Sequence, residues 1–282
     1  MPQETPPIWS QAALILAAHG SADHHGASAP TRAVLEEIRR RGLFRECAVA
    51  FHKEPPFLTD VLRLVGATDV FVVPHFIAEG WYTEHLIPNS LGLPDIAEGQ
   101  SRLLVGVAGR RIHYCRPVGT HPAFPTLISR HIRAQAALHA MEPAQCSVLL
   151  VAHGSGRSDR AGASTEIVAE ALRREGLFGE VIPGFLEQEP KAADWRQRVT
   201  KRDVLVLPLL IAQARHGRDD IAALFTPPAA KDHEIYSEED RPHGGPYHWG
   251  DYRILTLPPL GTAPEAAPAL ADLILDQARD AL

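Results

Sequence analysis

Ser147-Val-Leu-Leu-Val-Ala152, followed at once by His153-Gly154-Ser155, is the stretch on which the reading of the whole chain turns. An uninterrupted aliphatic run without polar alternation describes a strand buried on both faces, as parallel sheets require. The Gly and Ser that follow break the strand into a loop, so its last side chain, an imidazole, stands above the carboxyl edge of the sheet. The same device occurs at Ala12-Ala-Leu-Ile-Leu-Ala-Ala18 with His19-Gly20-Ser21, 134 residues earlier. That spacing makes the chain a duplication.

The repeat holds position by position over about 70 residues without a gap. Gly42-Leu43-Phe44 answers to Gly176-Leu177-Phe178, Phe51 to Phe185, Asp69-Val70 to Asp203-Val204, Pro74 to Pro208 and Ile87 to Ile221. Each half runs strand, His-Gly-Ser loop and helix. The helices are expected at Ala29 to Arg41 and Ala163 to Glu175, with apolar residues on one face, and Gly42 and Gly176 end them. A second strand follows at 48–51 or 181–186, then a short helix after Pro55 or Pro190, then the most apolar strand, 70–77 or 204–211. The fold class expected is α/β: two duplicated lobes, 1–140 and 141–282, each a doubly wound, mainly parallel sheet with flanking helices.

By Gly119 and Gly261 the offset has grown to 261 − 119 = 142, so the second half has gained a net eight residues. The gain is placed in 230–250, a polar stretch broken by Gly and Pro. Two readings of it stay open, a lid over a ligand site and a surface excursion. Its His233, His243 and His248 either pass a metal inward or are solvated.

With 282 residues and 45% hydrophobic composition, the chain can bury two ordinary cores. A net charge of −6, with no basic stripe, excludes nucleic acid as the expected partner. The first residues lack the basic and apolar segments of a secretory leader, and no apolar run approaches the ~18 residues of a membrane span. A cytoplasmic protein with no membrane partner is expected. Three scattered cysteines, Cys47, Cys115 and Cys146, read as free thiols.

In the second half three potential ligands follow three successive strands: His153, Glu187 and His216. Neighbouring parallel strands lie ~4.8 Å apart, so side chains leaving their carboxyl ends can converge on one ion. Two imidazoles and a carboxylate suit a borderline divalent metal such as Co, Fe, Ni or Zn.

These segments resemble the sirohydrochlorin chelatases of the CbiX and SirB type, in the class II chelatase superfamily. The resemblance rests on Leu149-Leu-Val-Ala-His-Gly-Ser155, on Phe185-Leu-Glu187, on Leu207-Pro-Leu-Leu-Ile-Ala-Gln-Ala-Arg-His-Gly-Arg-Asp-Asp-Ile221, and on Gly119-Thr-His-Pro122 with Pro258-Pro-Leu-Gly-Thr-Ala263. It implies two chelatase-like lobes and insertion of a divalent metal, Co2+ or Fe2+ with Ni2+ as a further candidate, into a sirohydrochlorin-like tetrapyrrole held in the cleft between them. The biosynthesis of siroheme or cobalamin is the implied setting. His153, Glu187 and His216 become the metal-ligating and catalytic residues, and the metal is itself a substrate. Neither ATP nor a redox cofactor is implied, and the protein is a monomer or a homodimer.

The first half departs from this pattern. At the same offset Glu187 becomes Lys53 and His216 becomes Tyr82, leaving only His19, and a cation in a ligand shell opposes metal binding. Nearby His75, Glu79, Glu84 and His85 line a facing wall, contact tetrapyrrole carboxylates or sit in a solvated loop. Arg157, Arg215 and Arg218 either pair with substrate carboxylates or are surface arginines. Asp220 orients His216 or caps a helix. Trp81, Tyr82 and Trp249 stack on a macrocycle or pack at an interface.

Two rival enzyme readings fail on context. Arg215-His216-Gly217 looks like the phosphohistidine phosphatase tripeptide, but it follows a third strand and not a first. His-Gly-Ser lacks the frame of a serine nucleophile elbow. A non-catalytic metal or tetrapyrrole carrier, derived from a chelatase, is the alternative from another class.

Overall fold

Both aliphatic runs are internal strands of separate five-stranded sheets, each in its own compact unit. The computed structural model describes residues 6–22, 25–105, 109–154, 160–211, 221, 223–225, 245–263 and 265–282. In the first sheet β1 (Ala13–Ala18) lies between β2 (Glu46–Phe51) and β3 (Asp69–Pro74), parallel to both. Beyond β3 come β5 (Arg111–Tyr114), also parallel, and β4 (Arg102–Val105), an antiparallel edge. The second sheet repeats this order with β6 (Cys146–Ala152), β7 (Glu180–Phe185), β8 (Asp203–Pro208), β10 (Tyr252–Thr256) and the antiparallel edge β9 (Tyr247–Trp249).

The expected duplication extends to strand register. Ala17 pairs with Ala50 and Pro74, and Val151 pairs with Gly184 and Pro208, each 134 residues on. Every residue of β1 and β6 is buried, as strands covered on both faces must be. β3 and β8 stop at Pro74 and Pro208, short of the expected runs, and the next residues, His75 and Leu209, donate one more bond to the Ala17 and Val151 carbonyls at 2.7 and 2.8 Å. The Arg111 Nε–H donates to Asp69 Oδ1 at 2.7 Å, and the Arg253 Nε–H donates to Asp203 Oδ1 at 3.0 Å. This matched pair, already at the longer offset, confines the net insertion to the chain between Ile221 and Arg253.

The labelled helices are α1 (Ala29–Arg41), α2 (Ile87–Ser90), α3 (Phe124–Leu138), α4 (Arg160–Glu175), α5 (Trp195–Arg198) and α6 (Ala266–Asp280). α1 has the limits expected of it. The compact units are Met1–Pro122 with Gly261–Leu282, and Ala123–Leu260, so they differ from the halves 1–140 and 141–282 by an exchange of the last helix. α6 lies on α1, where Arg41 donates to Asp272 at 2.5 Å and to the Pro268 carbonyl at 2.9 Å. α3 belongs to the second unit, where His131 donates through Nε2 to the Pro258 carbonyl at 2.8 Å.

One core gathers Ile15, Val70, Val72, Ile112 and Tyr114 against Leu58, Val61 and Ile87. The other gathers Leu149, Val151, Val204, Val206 and Ile254 against Trp195, Ile221 and Phe225. The three cysteines are free, and burial pushes the Cys47 thiol up to about 11 and the Cys146 thiol up to about 12. Among the described residues no helix is long and apolar enough to cross a membrane.

The His-Gly turns depend on their glycines. Gly20 has φ +65°, and a Cβ there would lie 2.8 Å from Phe51 Cβ; Gly154 has φ +73°, and a Cβ there would lie 3.1 Å from Phe185 Cβ and 2.7 Å from Gln188 Cγ. We expect Gly20→Ala and Gly154→Ala each to destabilise the protein by about 1–3 kcal/mol, through a left-handed backbone burdened with a side chain and a clash with the neighbouring strand. A thermal melt of each variant measures this, and unchanged midpoints would contradict the packing described.

Candidate metal centre at the second sheet edge

His153 follows β6 and Glu187 lies two residues beyond β7, at the carboxyl ends of neighbouring parallel strands. The Glu187 N–H donates to the His153 carbonyl at 2.9 Å, which locks the two exits together. Their side chains consequently meet, with His153 Nδ1 3.6 Å from Glu187 Oε1. Both are more than half exposed, at 55% and 58%, so an ion could reach them from solvent. An imidazole nitrogen and a carboxylate oxygen at this separation are two donors of a divalent-metal set. The third expected donor, His216, lies outside the described residues, as do Ser155, Arg157, Arg215, Arg218, Asp220, His233 and His243. Among the described residues no group of three or more His, Cys, Asp or Glu side chains could hold a metal.

The first sheet builds the same frame around different chemistry. The Lys53 N–H donates to the His19 carbonyl at 2.9 Å, as Glu187 does to His153. His19 Nδ1 lies 2.7 Å from the Gly20 carbonyl, which can only accept, so this nitrogen carries the proton. In the neutral ring Nε2 then accepts from the Tyr82 hydroxyl, 3.1 Å away. Tyr82 thus occupies the lone pair that a metal would need. Its own hydroxyl is harder to ionise because of burial. Glu54 accepts from the Ser21 N–H at 3.0 Å and from the Ser28 hydroxyl at 3.0 Å, which fixes the loop.

His52 was not singled out by the sequence reading. Its ring centroid is 6.1 Å from that of His19 and 5.9 Å from that of Tyr82. The available signal was its place directly after Phe51, one residue before the position that Glu187 takes in the other lobe.

The other first-lobe candidates scatter. His75 is 3% exposed and points at α1, its Nδ1 2.9 Å from the Thr31 hydroxyl, so it does not line a wall open to substrate. Glu84 is buried in the turn Tyr82–Leu86. His85 is half-buried, its Nδ1 2.9 Å from Asp95. Glu79 accepts from Arg116 at 3.0 Å. Trp81 is 61% exposed and edge-on to Tyr82. Trp249 is capped by the Arg196 guanidinium 3.6 Å from its ring centre, and His248 stands exposed on β9.

Each lobe thus sets a histidine at the corresponding edge of a five-stranded, mainly parallel sheet. The CbiX family profile matches residues 13–135 and 147–277, one match in each half, and the chain belongs to the CbiX family. A protein of Halobacterium salinarum described as a probable sirohydrochlorin cobaltochelatase is 33% identical over 220 residues, covering 74% of this chain and 75% of that one. Among solved structures, DR2241 of Deinococcus radiodurans, a multi-domain protein described as similar to chelatases with two additional domains, superposes with a TM-score of 0.76 at 26% identity. The match covers 97% of this chain, which spans 56% of that protein's length. SirB from Bacillus subtilis with Fe3+ shares the fold at a TM-score of 0.69 and 17% identity, covering 96% of this chain and 95% of its own.

His75 makes stability depend on pH. Burial pushes its imidazole down from 6.5 to about 4. Between those values the unfolded chain binds a proton that the folded chain refuses. The folded state therefore has full stability above pH 6.5 and loses up to about 3 kcal/mol as the pH falls to 4. His75→Leu, which installs the residue found at the matching position Leu209, should flatten this slope. Denaturant melts of both proteins at pH 7 and pH 5 test it, and an equal loss in the variant would refute it.

Proposed function

We propose that the chain inserts a divalent metal, Co2+ or Fe2+ with Ni2+ as a further candidate, into a sirohydrochlorin-like tetrapyrrole, and that His153, Glu187 and His216 of the second lobe hold the ion. The observation that carries this reading is the meeting of the His153 and Glu187 side chains at one sheet edge, 3.6 Å apart and open to solvent. His216 joins them by analogy within the chain: its counterpart Tyr82 touches the counterpart of His153 at 3.1 Å. The name of the Halobacterium relative supports cobalt as the metal and sirohydrochlorin as the macrocycle, and the iron in the SirB structure supports an overlapping choice.

Insertion exchanges two pyrrole N–H protons for one dication, so the site has to give up a metal and take up protons. A neutral imidazole or a carboxylate freed from the ion can accept a proton from the ring. Glu187 and His153 suit both duties because each donor atom that binds a cation also binds H+. Arg215 and Arg218, flanking His216 in sequence, would pair with the substrate's carboxylates. A macrocycle bent on binding would expose its nitrogen lone pairs to the ion.

His153→Ala and His216→Ala are each expected to abolish Co2+ binding and insertion, since one imidazole and one carboxylate are too few to hold the ion, whereas His19→Ala should only weaken turnover. An anaerobic assay with sirohydrochlorin and Co2+, Fe2+ or Ni2+, followed by absorbance, reads insertion and ranks the metals. Full metal occupancy with intact activity in the His216 variant would refute the ligand assignment. Binding of both metal and tetrapyrrole without any absorbance change of insertion would favour a carrier instead.

A further inference from the structure

The two lobes carry opposite charge at one and the same backbone position. Residues 53 and 187 both donate their N–H to a histidine carbonyl at 2.9 Å, but the first presents an ammonium and the second a carboxylate. Beside Lys53 stands His52, whose ring has no hydrogen-bond partner among the described residues; Lys53 has no ion-pair partner among them either. The Tyr82 hydroxyl is already given to His19, which closes the metal-type donor set. Next to this ammonium and imidazole lies an aromatic surface: Phe76 stacks on Tyr82 with ring centres 5.8 Å apart, and Trp81, largely exposed, meets Tyr82 edge-on at 5.4 Å. Burial, the ammonium of Lys53 and the neighbouring His19 hold the His52 imidazole below its ordinary value, and a bound carboxylate would relieve the last two effects.

We propose that the carboxyl edge of the first sheet is an anion site, in which Lys53 and His52 bind a carboxylate of a flat aromatic ligand that rests on Trp81 and Tyr82. The ligand class is a tetrapyrrole polycarboxylate, an identification that rests on the function proposed above. An ammonium and an unpartnered imidazole supply charge-assisted donors to the carboxylate. The ring surface supplies stacking area for the conjugated system. Loss of metal ligands from this lobe is then a change of ligand class, from a cation to an anion.

The test is a titration of the purified full chain with metal-free sirohydrochlorin, followed by fluorescence, so that binding is read apart from insertion. Lys53→Glu should raise Kd about tenfold. Lys53→Arg should keep Kd near that of the wild type, and Lys53→Gln should weaken the dependence of Kd on salt. Circular dichroism confirms that each variant folds, as expected for an exposed residue. An unchanged Kd in Lys53→Glu, or no binding by the wild type, overturns the proposal. If the wild type binds but inserts no metal while Lys53→Glu binds weakly, the anion site stands and the chelatase reading fails. If insertion proceeds and Lys53→Glu binds like the wild type, the chelatase reading stands and the anion site fails.

Discussion

A single backbone hydrogen bond, from the residue two places beyond one strand to the carbonyl of the histidine that ends the next, governs what each lobe can do. It is made at 2.9 Å by Lys53 in the first lobe and by Glu187 in the second. Parallel strands buried on both faces have no side chains to spare for chemistry along their length, so functional groups can stand only where strands leave the sheet. The hydrogen bond decides which exits meet. Because it uses only main-chain atoms, it is indifferent to the side chains presented, and the same frame can display a carboxylate in one copy and an ammonium in the other.

The glycine after each histidine is the companion constraint. The chain must turn away from the sheet while Phe51 or Phe185 of the adjacent strand presses against it, and only a residue without Cβ fits that gap in a left-handed conformation. In the first lobe Glu54 holds the turn, and the imidazole has a fixed tautomer and a fixed partner, Tyr82. His153 and Glu187, both largely exposed, are 3.6 Å apart, beyond a normal hydrogen bond.

The parallel strands were legible in the sequence because each is an uninterrupted aliphatic run recurring at a constant offset. The antiparallel edges were not: Arg102–Val105 is short and part-exposed, and Tyr247–Trp249 hides in the polar stretch 230–250, so neither shows a pattern of burial. His153 and Glu187 could be found because they directly follow legible strands. His75 follows one too, yet alternation along the strand turns it toward α1 and Thr31, a direction that spacing alone does not disclose. His52 escaped notice because the halves were compared only at the three potential ligand positions, and its counterpart Leu186 is not one of them. The helix exchange was equally hidden, since α3 and α6 follow corresponding segments of the two repeats and sequence alone does not say on which sheet either one docks.

That exchange reverses the order in which the lobes can be finished as the chain is made. The second unit is one continuous segment, Ala123–Leu260, and can close as soon as its last strand emerges. The first unit has all its strands much earlier but waits for α6, and the Arg41 to Asp272 contact joins positions 231 residues apart. Until then the surface of α1 and β3 that α6 covers stays open on a nascent sheet. Closing so long a loop is slow relative to local packing. A ribosome-bound chain of this protein should therefore mature from its middle outward, with its earliest strands among the last to be sealed.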